Sequence, residues 1–143
     1  MSTIATTKCL AFLLCNKATR AADGKVSLIG IFDRMVKPPP RDSAARRIFY
    51  VFYKVFVGQP CKLELRVFDP LDKQVRGTWS DDLGVGLMQT IWVLSTNQFE
   101  RPGKYTLELR QVSSDLGEVT LATTELVVDE PGQLMTLAPC KGG

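Results

Sequence analysis

The segment Ile48–Val57, with the sequence IFYVFYKVFV, constrains the fold of this chain more than any other. It is aromatic and β-branched, which is typical of a strand, and alternate side chains of a strand point to opposite faces. One face would carry Phe49, Val51, Tyr53, Val55 and Val57. The other face would carry Ile48, Tyr50, Phe52, Lys54 and Phe56. Because both faces are apolar and Lys54 is the only charge, two interpretations are open. Either the strand is central and covered on both sides, or one side is kept for another chain.

The length of 143 residues fits a single domain, residues 1–143, which can bury a core without disulfides or metals. Charged residues make up 23% of the chain and the net charge is +3, so nothing indicates a nucleic-acid partner. Histidine is absent, which excludes Ser-His and Cys-His nucleophile pairs and mixed Cys/His zinc sites. We therefore expect no enzymatic activity, no metal or other cofactor and no small-molecule substrate.

The four cysteines, Cys9, Cys15, Cys61 and Cys140, form no CxxC motif. Disulfide frameworks are typical of secreted proteins, so buried free thiols are the preferred interpretation. Cys9 and Cys15 are expected on one face of a single strand. The apolar run between them is short for a signal peptide and far short of the roughly 18 apolar residues of a membrane span. A cytoplasmic protein is expected, and a membrane partner is not favoured.

Period-two alternation of polar and apolar residues dominates the chain, and it is cleanest in segments 62–67 and 104–110. The predicted strands are 9–15, 26–32, 48–57, 62–67, 87–94, 104–110 and 119–128. Segment 16–22 is a candidate for one helical turn. Turn residues such as Asp23-Gly24 and Pro131-Gly132 separate the strands. Short strands with regularly spaced turns predict an all-β fold, namely an antiparallel, immunoglobulin-like β-sandwich of about seven to nine strands.

The segment Pro102-Gly103-Lys104-Tyr105 opens an alternating strand. It resembles the start of a late strand in immunoglobulin-like sandwiches, where a tyrosine often ties the strand corner through its hydroxyl. A plain buried tyrosine after a type II turn is an equally good interpretation.

Residues 24–33, GKVSLIGIFD, follow shortly after Cys15-Asn16. Together they resemble the opening of a bacterial family of small proteins of unknown function, which typically shows CD and then GK-S-L-I-G-I-F-D. A later F…PG-Y element of that family is similar to Phe99, Pro102, Gly103 and Tyr105. Asn16 stands where the family usually has Asp. The resemblance implies a single small β-sandwich, and it brings no catalytic residues.

The predicted loop 34–47 contains three consecutive prolines and is strongly basic. The segment contains one carboxylate, Asp42, and five cations, which are Arg34, Lys37, Arg41, Arg46 and Arg47. A loop stiffened by proline and rich in arginine is suited to an acidic partner, a phosphate or an anionic lipid. The simpler alternative is a solvated connection whose arginines keep the adjacent apolar strand soluble.

An acidic cluster is the other candidate for ion binding, since carboxylates on the loops of a sandwich can hold calcium. Its members are predicted on turns, and they are Asp69, Asp72, Asp81 and Asp82. Their spacing does not match a calcium loop, and a turn explains Asp69-Pro70 sufficiently. No metal site is therefore predicted.

These patterns favour a non-enzymatic structural or adaptor module that binds other protein chains, by self-association or by docking on a larger complex. The predicted contact residues are Tyr50, Phe52 and Phe56, with Arg41, Arg46 and Arg47 as a charged rim. A central core strand with no free face remains an open alternative for residues 48–57. The alternative function is an anion- or membrane-surface-binding module that uses loop 34–47.

Overall fold

The structure, a computed structural model, describes residues 7–36, 48–75, 77, 79–113 and 117–130. Nine strands occur in these ranges: β1 (Thr7–Arg20), β2 (Val26–Ile31), β3 (Arg34–Val36), β4 (Ile48–Val57), β5 (Cys61–Phe68), β6 (Trp79–Leu83), β7 (Gly86–Ser95), β8 (Gly103–Ser113) and β9 (Gly117–Asp129). The only helical residues of the described ranges are a 3-10 turn at Thr96–Gln98. No helix that is long and apolar enough to cross a membrane is found there.

The strands form two sheets. Sheet A has the strand order β2-β1-β4-β7, and sheet B has the order β3-β9-β8-β5-β6. All neighbouring strands are antiparallel except β3 and β9, which are parallel. One cluster of buried residues draws on both sheets and forms the core between them. The predicted all-β sandwich is therefore confirmed, and each of the seven predicted strands is present.

The core confirms the predicted alternation in β4, β5 and β8. The inward-facing residues of these strands are at most 3% exposed, and they are Phe49, Val51, Tyr53, Val55, Val57, Leu63, Leu65, Val67, Tyr105, Leu107 and Leu109. Burial of such side chains stabilises a fold by roughly 1.5–3 kcal/mol each. The opposite face of β4 contributes nothing to this cluster, so β4 is not a core strand on both sides.

Tyr105 forms a tyrosine corner. Its hydroxyl donates a hydrogen bond to the carbonyl oxygen of Arg101 at 2.9 Å and accepts one from the Arg101 backbone N–H at 3.1 Å. Its ring, 1% exposed, lies with its centroid 4.9 Å from that of Phe99. This geometry decides between the two interpretations of the Pro-Gly-Lys-Tyr segment in favour of the corner found in immunoglobulin-like sandwiches.

A β-bulge at Leu10 interrupts the alternation of β1. Cys9 pairs with Val55 and Ala11 pairs with Lys54, so Leu10 is an extra residue in β1. Because a bulge shifts the side chains that follow it to the other face, Cys9 packs against the core and Cys15 points away from it. The prediction that both cysteines share a face is wrong for this reason.

Two further predictions of local structure are wrong. Residues 16–20 form no helical turn, because they continue β1 and pair with β2 from Lys17 opposite Ile29 onward. Asp81 and Asp82 do not lie on turns, because they belong to the edge strand β6. An edge strand can hold these carboxylates since one of its sides has no neighbouring strand.

Candidate functional site

The outer face of sheet A is the face that points away from sheet B. The strand register places Tyr50, Phe52 and Phe56, the three predicted apolar contact residues, together on this face. Ile31, Cys15, Tyr50 and Val93 form one row across all four strands. Phe56 lies opposite Leu87 nearer the other end of the sheet. The structure thus brings the predicted apolar residues to one surface.

Exposed hydrophobic side chains concentrate on sheet A. Nine large hydrophobic residues are exposed in the described ranges. Seven of them lie on strands of sheet A, and they are Leu10, Ile29, Ile31, Ile48, Phe56, Leu87 and Val93. Val85 lies in the turn before β7, and Leu71 lies in the connection between β5 and β6. The described strands of sheet B have none.

The outer face of sheet B carries ion pairs instead. Arg66 lies 3.2 Å from Glu64 and 2.9 Å from Glu118. Arg110 contacts Glu108 at 2.6 Å and Glu118 at 3.0 Å. The hydrogen bond from Arg110 and the charge of Arg66 lower the pKa of the Glu118 carboxyl. Charge pairs of this kind, here both within and between strands, are typical of a sheet face that contacts water.

The β1–β2 hairpin folds back over the outer face of sheet A. Arg20 Nη2 donates a hydrogen bond to the backbone oxygen of Gln89 at 3.3 Å, and Gln89 Nε2 donates one to the backbone oxygen of Gly24 at 3.1 Å. In the strand register Gln89 lies level with Lys54 and Ala11. A fully extended β1 would place Arg20 about 30 Å beyond Ala11, and so far from Gln89. These contacts form only if the hairpin tip, residues 20–26, turns back across β4 to β7.

The bend coincides with Gly30. The last pair between β1 and β4 is Cys15 with Tyr50, and the hairpin leaves the sheet beyond it. There Gly30 has a φ of 71°, and a Cβ at this position would lie 2.6 Å from Nδ2 of Asn16. A side chain fits neither this backbone conformation nor this space. Gly30 belongs to the motif at residues 24–33, so one position of that motif is explained by the bend.

The residues of the outer face differ in accessibility. Phe52 is 7% exposed and Cys15 is 0% exposed, although both point away from the core. Burial also raises the pKa of the Cys15 thiol. Phe56 is 51% exposed and Tyr50 is partly exposed. Phe52 therefore has little surface to offer another chain, whereas Phe56 and Tyr50 retain theirs.

The predicted charged rim cannot be placed in the same way. Arg41, Arg46 and Arg47 lie outside the described residues. Arg34, which the sequence assigned to the basic loop, belongs instead to β3, where its Nε lies 3.0 Å from the Asp129 carboxylate. It is thus engaged in an ion pair, and the assignment of Arg34 to a free basic loop is wrong.

A basic groove lies between the hairpin tip and the sheet, with a volume of about 760 Å³. Three cations, Arg20, Lys25 and Lys54, border it together with one carboxylate, that of Asp23, and Leu87 and Gln89 also line it. Lys25 forms a long, exposed contact of 3.9 Å with Asp23. Within the described ranges, neither Arg20 nor Lys54 forms a salt bridge. Sequence reasoning missed this groove, and Lys54, the single charge in β4, was the signal for it.

Two side chains link sheet A to β6. The Tyr53 hydroxyl donates a hydrogen bond of 2.6 Å to the Asp81 carboxylate. Burial, together with the Asp81 carboxylate, raises the pKa of Tyr53 above its ordinary value. The Trp79 indole N–H donates to the backbone oxygen of Val93 at 3.1 Å. These contacts join β6 to β4 and to β7, and the hydrogen bond from Tyr53 gives the Asp81 carboxylate a partner within the chain.

The acidic cluster is dispersed. The Asp69 carboxylate accepts hydrogen bonds from the backbone N–H groups of Leu71 at 2.8 Å and Lys73 at 3.0 Å, which lowers its pKa. This is a side-chain-supported turn, as the sequence indicates for Asp69-Pro70. In the part of the chain that the structure describes, no three His, Cys, Asp or Glu residues form a group that could hold a metal.

The cysteines of the described ranges are Cys9, Cys15 and Cys61, and all three are free thiols. Cys15 is buried, and the other two are partly buried. Cys140 lies outside the described residues. The Cys61 sulfur lies 3.3 Å from the Thr7 hydroxyl oxygen, and the two groups form a hydrogen bond.

Comparison with known proteins identifies a family and supports the fold. The model of a family of unknown function (DUF6941) matches residues 10–129. The C-terminal domain of wzt is a similar solved structure, with a TM-score of 0.55 and 7% identity, and the match covers 90% of this chain and 76% of that chain. A CARDB domain from Pyrococcus furiosus, solved in complex with di-metal ions, gives a TM-score of 0.39 at 12% identity over 90% and 99% of the two chains. No curated protein matches the sequence.

Proposed function

We propose that this chain, which belongs to the family of unknown function DUF6941, is a non-enzymatic structural or adaptor module that binds a protein partner. The binding surface is the outer face of sheet A. One observation supports this assignment above all others: seven of the nine exposed large hydrophobic residues in the described ranges lie on strands of that sheet. The free thiols agree with a reducing compartment, and we place the module in the bacterial cytoplasm.

The exposed apolar area is large enough to drive association. The strand register places five of the seven side chains on the outer face, and they are Ile31, Ile48, Phe56, Leu87 and Val93. At about half exposure they present roughly 450 Å² of apolar surface, within the range of the largest patch on a typical monomer. Complete burial would contribute on the order of 11 kcal/mol at ~25 cal/mol per Å². The loss of translational and rotational freedom offsets much of this gain, and a partner that covers only part of the face gains less.

The test compares a variant of the face with a matched variant elsewhere. Ile31→Ser combined with Val93→Ser removes two side chains from one row of the outer face. Leu71→Ser removes an equally exposed side chain from the β5–β6 connection and serves as the control. Neither change touches a core residue, so all variants should unfold at similar denaturant concentrations.

Two measurements cover the two kinds of partner. Sedimentation velocity over a range of protein concentrations detects self-association, and quantitative cross-linking in cells that express the variants at native level detects a different partner. We expect the Ile31/Val93 double variant to lose the association that the Leu71 variant keeps. A protein that is monomeric at every concentration, with the same cross-links in both variants, would contradict the proposed function.

A further inference from the structure

We propose that the basic groove bordered by Arg20, Lys25 and Lys54 binds an aspartate or glutamate side chain of the partner protein. The inference rests on the proposed function and deepens it, because it states the chemistry of the segment that docks on sheet A. The carboxylate would enter the groove, and an apolar side chain next to it would pack on Phe56 and Leu87.

Lys54 is the first reason for this assignment. It is the single charge among the ten residues of β4, and it is partly buried on the outer face, in register with Ala11 and Gln89. A cation that is partly removed from water without a counterion destabilises the fold. Asp23 lines the same groove, but it contacts Lys25, and within the described ranges Lys54 forms no ion pair with a carboxylate. A carboxylate supplied by a partner would offset this cost.

The charge distribution of sheet A is the second reason, because it selects an acidic partner over a second copy. The cations of β1, β4 and the β1–β2 turn are Lys8, Lys17, Arg20, Lys25 and Lys54. Asp23 is the only acidic residue in the same segments, and β2 and β7 carry no charge. Two copies that meet through this face would place like charges together, which disfavours association. A partner with carboxylates around an apolar centre has the complementary pattern.

The shape of the site is the third reason, because it favours a peptide segment over a lipid surface. The groove is open to solvent, and hydrogen bonds from Arg20 to Gln89 and from Gln89 to Gly24 connect its two sides. A site held in place before binding loses little conformational entropy when a ligand enters. Leu87 lines the groove and also pairs with Phe56, so polar and apolar contacts are adjacent. A bilayer would meet protruding residues rather than the floor of a groove.

Acidic peptide binding tests the inference directly. The probe is a fluorescent hexaglutamate peptide at low salt, with hexaglutamine as the uncharged control and inorganic phosphate as the small-anion control. We expect Lys54→Met to weaken hexaglutamate binding roughly tenfold, since a hydrogen bond to a charged group is lost. Met matches the length of Lys and leaves no cavity, and denaturation curves check that the variant is folded. Lys104→Gln is the matched control, because it removes one positive charge from sheet B, where Lys104 pairs with Glu125 at 3.3 Å.

A second readout localises the peptide. Acetylation of individual lysines, followed by mass spectrometry, should show that hexaglutamate protects Lys54 and leaves Lys104 as reactive as before. Equal binding by the Lys54 and Lys104 variants, or no protection of Lys54, would overturn the inference. Competition by phosphate as effective as that by hexaglutamate would show a small-anion site instead. Binding to phosphatidylserine vesicles that is lost in Lys54→Met would show a membrane site, and each of these results also overturns it.

The outcomes separate this inference from the proposed function. If the Ile31/Val93 double variant loses association while Lys54→Met binds hexaglutamate normally, the docking face stands and the carboxylate site is wrong. If hexaglutamate binding depends on Lys54 while the double variant keeps every association, the carboxylate site stands and the docking face is wrong.

Discussion

Phe52 and Phe56 offer a direct test of how the outer face of sheet A is divided into covered and exposed positions, because they lie four residues apart on the same face of one strand. Both are phenylalanines of β4, and both point away from the core cluster. They differ in what covers them, since Phe52 is 7% exposed and Phe56 is 51% exposed. Replacing each by alanine therefore compares a covered position with an uncovered one in the same strand.

The expected losses follow from the buried areas. Complete burial of a phenylalanine removes roughly 200 Å² from water, which is worth about 5 kcal/mol at ~25 cal/mol per Å². Given the exposures of 7% and 51%, Phe52→Ala should lower the free energy of unfolding by about 4 kcal/mol and Phe56→Ala by about 2 kcal/mol. For a domain of this size the difference corresponds to roughly 4–8 °C in Tm.

Urea denaturation followed by tryptophan fluorescence measures both values under the same conditions. If the two variants lose the same stability within about 0.5 kcal/mol, Phe52 is not more deeply buried than Phe56 and the division of the outer face is wrong. Phe56→Ala has a second expected effect: it should weaken partner binding, because Phe56 is exposed beside the basic groove. Phe52→Ala should affect binding only as far as it unfolds the protein.

Two further changes test the links that shape the site. Tyr53→Phe should lower the free energy of unfolding by about 2 kcal/mol at neutral pH, because it removes the hydrogen bond to Asp81. Because the pKa of Tyr53 is raised, the stability that its protonated hydroxyl contributes is present below about pH 10 and is lost as the pH rises through the raised pKa. The free energy of unfolding should therefore fall less at alkaline pH in Tyr53→Phe than in the unchanged protein, and denaturation curves from neutral to alkaline pH measure this. Gly30→Ala should cost about 1–3 kcal/mol more than Gly24→Ala in thermal unfolding, since both glycines have positive φ but only Gly30 lies against Asn16; equal losses would contradict the tight bend.

Alternation in the sequence was sufficient to predict the strands and the face to which each side chain of β4 belongs. It identified Phe49, Val51 and Tyr53 as one set and Tyr50, Phe52 and Phe56 as the other, and the core confirms this division. Successive side chains of a strand point to opposite faces because the strand is pleated, so a short stretch of sequence is enough to assign each side chain to a face. The tyrosine corner was one of two equal interpretations of the Pro-Gly-Lys-Tyr segment, and the hydrogen bonds of Tyr105 with Arg101 were needed to decide between them.

Features that depend on contacts distant in sequence were not predictable in this way. The bulge at Leu10 has no glycine to mark it, and it alone decides that Cys9 and Cys15 face opposite ways. The contact between Gly24 and Gln89 joins residues 65 positions apart. Gly30 was visible in the motif, but only the close approach of Asn16 shows why a glycine is required there. The groove follows from that bend, so it could not be found before the bend was known.

The two sheets of this protein provide an internal comparison that supports a docking role for sheet A. Both sheets come from one chain of net charge +3, and both have an outer face built from alternating residues of long antiparallel strands. On sheet B these positions hold charged side chains such as Arg66 and Glu108, which suit contact with water. On sheet A the equivalent positions hold Phe56, Leu87 and Val93, each more than half exposed. A face that only contacts water gains nothing from such residues, so their concentration on one sheet supports the proposal that a partner covers it.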